Sequence, residues 1–204
     1  MSLVIMDLRT RYRRSVIGLG WSLLNPICMT IILCIVFHGL FGQTITEFAP
    51  YLIAGLATWN YVMTVSLQGC QCFFQGESYI RQYPAPLAIY PLRTALGGTI
   101  HFLIALMVVL ALTAAFKGFE HPASLLSLIP SVLLLFAFTW SLAVLLGSAN
   151  VYFQDSQHLA EVGFQILFYA TPIMYYTAML SPGVAQMVTL NPLTYIIQLV
   201  REPI

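Results

Sequence analysis

Five stretches of this sequence run without a charged residue, 15–46, 48–76, 94–116, 121–154 and 162–200, and each is long enough to cross a lipid bilayer. A helix rises about 1.5 Å per residue and the hydrocarbon core is about 30 Å thick, so about 20 residues suffice for one crossing. Composition removes the alternative of a water-facing fold: 59% of the 204 residues are hydrophobic and 7% are charged, where a soluble domain carries about 25% charged residues. The chain therefore reads as an all-α integral membrane protein of about five transmembrane helices, near 21–41, 49–67, 94–116, 125–146 and 162–176. A formal net charge of +1 gives no overall field that would point to nucleic acid or to acidic substrates.

The few charges orient the bundle. Arg9, Arg11, Arg13 and Arg14 precede the first stretch, and Arg81 and Arg93 lie between the second and third; Lys117 and Arg201 lie in the other set of connections. With the N-terminus inside, six of the eight basic residues are cytoplasmic, as the positive-inside rule requires. No small-x-small cleavage site follows the first apolar run, so that helix is expected to be retained rather than removed as a signal peptide. The last uncharged stretch is too long for one helix and holds Pro172, Pro182-Gly183 and Asn191-Pro192, which interrupt helical hydrogen bonding. One span followed by a re-entrant hairpin over 179–201 accounts for this, because irregular backbone at membrane depth must be covered by protein or line a cavity. A surface loop followed by one more short span is the alternative.

Before the first span, Leu3, Val4, Met6, Leu8 and Tyr12 alternate with Asp7 and the four arginines, a pattern that suits a helix lying in the cytoplasmic interface. These arginines serve equally as anchors to anionic lipid headgroups. The longest polar segment, 69–93, carries Glu77, Tyr79, Arg81 and Tyr83 ahead of Pro84 and Pro86. A short helix there would present aromatics and a charge pair to a cytoplasmic partner, although a tight connecting loop reads the same way. Trp21 suits the aromatic belt.

Catalytic signatures are absent. The one lysine, Lys117, sits at a membrane boundary and outside any Gly-x4-Gly-Lys-Ser/Thr loop, so ATP, if it drives this protein, is bound by another chain. His38, His101, His121 and His158 are scattered, and Cys70 and Cys72 have no matching pair, so neither a metal site nor a structural disulfide is expected. Asp155, His158 and Glu161 recur at three-residue spacing, which places them on neighbouring positions of one helix. Capping of the fifth helix by Asp155, with Glu161 near its start, accounts for them more simply than a paired-carboxylate active site. Aromatics make up 13% of the chain; Trp59, Tyr61, Phe168, Tyr169 and Tyr175 lie in or beside spans, available for core packing, lipid contact or the lining of a path.

The string Asp7-Leu8-Arg9-x-Arg11-Tyr12-Arg13-Arg14-Ser15-x-x-Gly18-x-x-Trp21-Ser22-Leu23-Leu24-Asn25-Pro26 resembles the opening of permease subunits of ABC exporters for lipid-linked polysaccharides, of the O-antigen, capsule and teichoic acid type. Gly55-x-x-x-Trp59-Asn60, Tyr79-Ile80-Arg81-x-Tyr83-x-x-Pro86, Asn150-Val151-Tyr152-Phe153-Gln154-Asp155-x-x-His158-Leu159, Thr171-Pro172-Ile173-Met174-Tyr175 and Asn191-Pro192-Leu193 look like later landmarks of that family in the correct order. The resemblance covers essentially the whole chain.

It implies a single permease domain over 1–204 that pairs with a second copy of itself and with two separate nucleotide-binding subunits, which carry the ATP and Mg. No cofactor, metal or catalytic residue is implied for this chain. Glu77, Tyr79, Arg81 and Tyr83 would form the coupling helix within 69–93. Residues 1–20, with Arg9, Arg11, Arg13 and Arg14, would be a gate helix beside the pyrophosphate of an undecaprenyl-type lipid-linked polysaccharide, a role that suits arginine's fork of donors. Trp59, Tyr61, Phe168, Tyr169 and Tyr175 would line the channel, in the inner membrane of a prokaryote. The chain departs from the family at Gln154 and Gln157, where relatives commonly carry arginine, and a sixth span expected after Asn191-Pro192-Leu193 would lie beyond Ile204, as in a truncation. Two competing readings are a small-lipid or drug exporter permease of the same architecture and a membrane-embedded lipid-linked glycosyl or phosphoryl transferase.

Overall fold

The computed structural model describes residues 21–41, 44–82, 86–116, 118 and 122–204, and the described residues are helices, turns and bends without a strand. The helix α1 covers Trp21–Phe41, the span expected from the spacing of charges. Its lipid-like face is plain from Ile31, Ile32, Ile35 and Val36, all exposed, while Thr30 and Cys34 turn inward.

Helix α2, Ile45–Gln75, is 31 residues long and therefore about 46 Å end to end. It outruns the expected 49–67 in both directions, since the length of an apolar run bounds only the part of a helix that lies in hydrocarbon. Leu52, Ala54, Leu56, Thr58, Trp59, Tyr61, Val62 and Val65 are all buried, so α2 is enclosed nearly all round. Every other long helix packs on it. Gly76 ends α2, its N–H donating to the Cys72 carbonyl. A Cβ at this position would lie 2.5 Å from the Tyr90 ring, so the turn into the next helix requires glycine. That next helix is α3, Glu77–Gln82.

Helix α4, Ile89–Phe116, buries Ala95, Phe102, Ala105, Leu106, Val109 and Thr113, a stripe at helical spacing that faces α2 and α5. It gives way to Gly118, whose φ of +70° is the left-handed conformation that favours glycine. A 3-10 turn, Pro122–Ser127, leads into α5, Leu128–Tyr152. On α5 the buried positions Leu128, Ser131, Leu135, Thr139, Ala143, Gly147 and Asn150 recur every three or four residues. Several hydroxyls inside the bundle bond a carbonyl one turn back: Thr58 donates to Ala54, Thr113 to Val109 and Ser131 to Ser127, whereas the buried Ser66 hydroxyl has no partner among the described residues. Such a bond within the helix is the economical arrangement where no water is at hand. Among the described residues, Ile89–Phe116 and Ser124–Tyr152 are the two segments long and apolar enough by composition to cross a membrane.

Helix α6 is Ser156–Ala170, shifted toward the N-terminus relative to the expected 162–176. It ends at Thr171 because Pro172 disfavours the α conformation in the residue before it, and Thr171 is extended at φ −105°, ψ 138°. Asp155 occupies the N-cap position but makes no side-chain cap bond, contrary to the capping expected of it. After the bends at 171–175 come a 3-10 turn at Thr177–Met179, α7 at Pro182–Thr189 and α8 at Pro192–Arg201. Asn191 caps α8 by accepting from the Leu193 N–H at 3.0 Å, and its amide donates to Thr171 Oγ1 at 2.9 Å, which ties the α7–α8 turn to the end of α6.

Candidate functional site

Three constructions stand out, at α3, at the cleft beside α6 and at Arg201. On α3 the Arg81 guanidinium bonds the Glu77 carboxylate at 2.7 Å, one helical turn away, with both side chains exposed. A pair in this setting is worth no more than about 0.5 kcal/mol; it shapes the surface rather than stabilises the fold. Tyr79 is exposed on the same short helix. Tyr83 and the arginines Arg9, Arg11, Arg13 and Arg14 lie outside the described residues.

The root of α3 is held firmly. At the end of α2, a Cβ on Gly69 would lie 2.7 Å from the Ala143 Cα, and one on Gly147 2.7 Å from the Gly69 carbonyl oxygen, so α2 and α5 meet backbone to backbone. The Asn150 amide donates to the Cys70 carbonyl at 2.8 Å in the same place. At the next residue, the Gln71 amide donates to Gln157 Oε1 at the start of α6. Gln157 in turn donates to Glu161 Oε1 at 3.0 Å, and the His158 ring lies 3.4 Å from Glu161 Oε2.

Beside this relay an open groove of about 310 Å³ runs between α1, α2 and α6. Met29 comes from α1; Leu56, Trp59, Asn60 and Met63 from α2; Glu161, Phe164, Gln165, Phe168 and Tyr169 from α6. The rings form a connected set. Trp59 meets Phe164 edge-on with centroids 6.0 Å apart and Phe168 at 5.6 Å, and Phe168 meets Tyr169 at 5.3 Å. Trp59 itself is only 3% exposed and Tyr169 is 69% exposed, so the wall grades from core to surface. The structure thus brings Trp59, Phe168 and Tyr169 together. Tyr175 adjoins them by donating to the Tyr169 carbonyl at 3.1 Å. Tyr61 lies elsewhere: it is buried against α4, sharing a hydrogen bond with Thr99 at 2.9 Å and stacking near Phe102 at 4.9 Å.

Arg201, which charge counting treats only as an outer residue, closes a third construction. Its Nε donates to the Tyr51 carbonyl at 3.0 Å, Nη1 to Pro172 at 2.7 Å and Nη2 to Ile173 at 2.7 Å. The guanidinium lies 3.7 Å from the centroid of the Tyr51 ring, and the Tyr51 hydroxyl donates to the Tyr175 carbonyl at 3.0 Å. Two carbonyls of the bends that follow α6, those of Pro172 and Ile173, are therefore taken up by a cation. Gly55 leaves room for the guanidinium: a Cβ there would lie 1.9 Å from Arg201 Nη2. Among the described residues no three His, Cys, Asp or Glu side chains gather as a metal site.

Comparison with known proteins agrees with a membrane role. The chain is similar to the O-antigen export system permease protein RfbA of Klebsiella pneumoniae, 27% identical over 197 residues, which is 96% of this chain and 76% of that protein. It is similar to the protein of the same name from Myxococcus xanthus, 28% identical over 196 residues, covering 95% of this chain and 75% of the relative. The family model described as ABC-2 type transporter matches residues 1–204, and the protein is accordingly a membrane protein that belongs to the ABC-2 type transporter family.

Proposed function

We propose that this chain is the transmembrane subunit of an ATP-driven exporter that moves a lipid-linked polysaccharide outward across the cytoplasmic membrane. The observation that carries this reading is the family match over the whole chain, reinforced by relatives named as O-antigen export permeases. The chain acts as a single multi-pass permease domain, in a pair with a second copy, and ATP and Mg belong to two nucleotide-binding subunits. In this reading α3, with Glu77, Tyr79, Arg81 and Tyr83, docks on the ATPase. Residues 1–20 form the gate helix, whose Arg9, Arg11, Arg13 and Arg14 meet the lipid pyrophosphate. The wall of Trp59, Phe168, Tyr169 and Tyr175 borders the path of an undecaprenyl-type substrate, and the hairpin over 179–201 sits partly inserted at the outer side. ATP binding closes the partner subunits, tilts α3 and, through the rigid junction of α2, α5 and α6, opens the path.

Supporting the docking role, α3 is a short exposed helix whose root is fixed by Gly69, Gly147 and the Gln71–Gln157 bond, so force applied there reaches α6 with little loss. The test is co-purification in detergent with the candidate ATPase. Wild type is expected to retain the ATPase, and the double substitution Tyr79→Ala/Arg81→Ala to lose it while eluting as the same folded species. A folded wild-type chain that binds no ATPase overturns the exporter reading.

A further inference from the structure

We propose that the groove between α1, α2 and α6 admits uncharged glycan in preference to anionic polymer, and that Glu161 sets this preference. The inference rests on the exporter reading and narrows its substrate class. Tyr169, and in part Phe168, offer ring surface to the groove, backed by the buried Trp59, and such faces bury the C–H faces of a sugar ring. Asn60 and Gln165 add amides that both donate and accept, as hydroxyl groups require.

Among the described residues that line the groove, Glu161 is the single ionisable carboxylate and no lysine or arginine accompanies it. Its side chain is 43% exposed, so its charge reaches the opening. The group is also held in place: Gln157 and His158 occupy one oxygen each, and Gln157 is braced from α2 by Gln71. A polymer that carries uronate, sialate or phosphodiester groups along its repeats meets a like charge here, with no lysine or arginine among the described lining residues to offset it. A neutral hydroxyl meets an acceptor instead. Specificity of this kind works by penalising the wrong ligand. Gln157 is then a positioning residue, acting through Glu161.

The experiment uses the full chain in lipid nanodiscs, with and without the candidate ATPase, at about pH 8, where histidine side chains carry little charge. Two probes of matched length are titrated, a neutral oligoglucan and an oligogalacturonate, and binding is read by fluorescence anisotropy of end-labelled probe. Wild type is expected to bind the neutral probe at least about tenfold more tightly. Glu161→Gln removes the preference, Glu161→Lys reverses it, and Gln165→Ala weakens both probes alike. Glu161 is exposed, so these variants are expected to elute as wild type does. Equal binding of both probes by wild type, or a preference that survives Glu161→Lys, overturns the proposal. So does the absence of binding to either probe, the result expected if a second copy of the chain fills the groove. Co-purification of the ATPase reads out separately: when it succeeds and the preference fails, only this proposal falls; when it fails, the exporter reading falls, and the binding ratio still decides what the groove selects.

Discussion

At the scale of single residues, Arg201 does more for this fold than any sequence signal announces. Nothing in Val200-Arg201-Glu202 indicates that the guanidinium bonds carbonyls 28, 29 and 150 residues away; only the topology brings Tyr51 and Pro172 within its reach. Lysine keeps the charge but has a point-like head in place of a fork, so it cannot serve three diverging carbonyls and a ring face together. Arg201→Lys is expected to lower stability by about 2–4 kcal/mol, the range for breaking charge-assisted bonds to buried groups, read as a lower midpoint of thermal unfolding in detergent. Gly55→Ala should approach the same cost, because its methyl would occupy the space of Nη2 and the guanidinium cannot withdraw without releasing Ile173. Tyr51→Phe keeps the ring under the cation and loses only the hydroxyl bonds to Pro172 and Tyr175, so it is expected to cost about 1 kcal/mol. An Arg201→Lys variant as stable as wild type would show that the guanidinium clamp carries little of the fold. The groove was half legible at this scale. Trp59, Phe168 and Tyr169 are recognisable from sequence as aromatics in spans, but the rotation of α2 that sends Trp59 toward α6 and Tyr61 toward α4 follows from packing alone.

Between elements, the deciding contact is the backbone approach of α2 and α5 at Gly69, Ala143 and Gly147. Lipid is as apolar as leucine, so helices in a membrane gain from close packing and not from hiding apolar area, and small residues are what permit it. Two glycines on long apolar helices therefore make opposite predictions. Gly97 has open space around an added Cβ, so Gly97→Ala should be neutral or stabilising by about 0.5–1 kcal/mol through helix propensity. Gly147→Ala puts the same methyl 2.7 Å from the Gly69 carbonyl, and is expected to cost about 1–3 kcal/mol as the helices are forced apart. Thermal unfolding of the two variants side by side checks this, and equal midpoints would mean that the junction is loose. Separation of α2 from α5 should also release the Asn150–Cys70 bond. Charge spacing placed a helix over 21–41, and these residues are helical; at Glu77–Gln82 it left a short helix and a tight loop equally open, and the structure shows the helix. It misplaced α6 by about a turn and a half, since the effect of Pro172 on the residue before it was outweighed by the apolar run through Tyr175-Tyr176. It did not find the glycine junction, because a glycine in an apolar helix signals close packing only once its neighbour is known.

For the molecule as a whole, the question is which end of the bundle faces the cytoplasm. Met107 on α4 and Leu126, Leu133 and Leu145 along Ser124–Tyr152 are each at least 63% exposed, a belt that lipid must cover. Three helices, α4, α5 and α6, separate α3 from the turn between α7 and α8. If each crosses once, these two points lie on opposite sides, with α3 inside because it carries Arg81 and Arg93 follows at the start of α4. The weak step is α6: its 15 residues span about 22 Å, less than the hydrocarbon thickness of about 30 Å. The crossing is completed only if the bends at 171–175 continue outward, their carbonyls satisfied by Arg201. Cysteine accessibility decides the matter. With Cys28, Cys34, Cys70 and Cys72 replaced by alanine, single cysteines are placed by Tyr79→Cys and Leu190→Cys; Leu190 is 83% exposed on the α7–α8 turn. A membrane-impermeant maleimide added to spheroplasts is expected to label position 190 at once and position 79 only after permeabilisation. Labelling of both from outside would mean that one of α4, α5 and α6 does not cross. Protection of position 190 until the membrane is dissolved would place the α7–α8 turn within the bilayer, and α6 would then be a partial crossing, held at its broken end by Arg201.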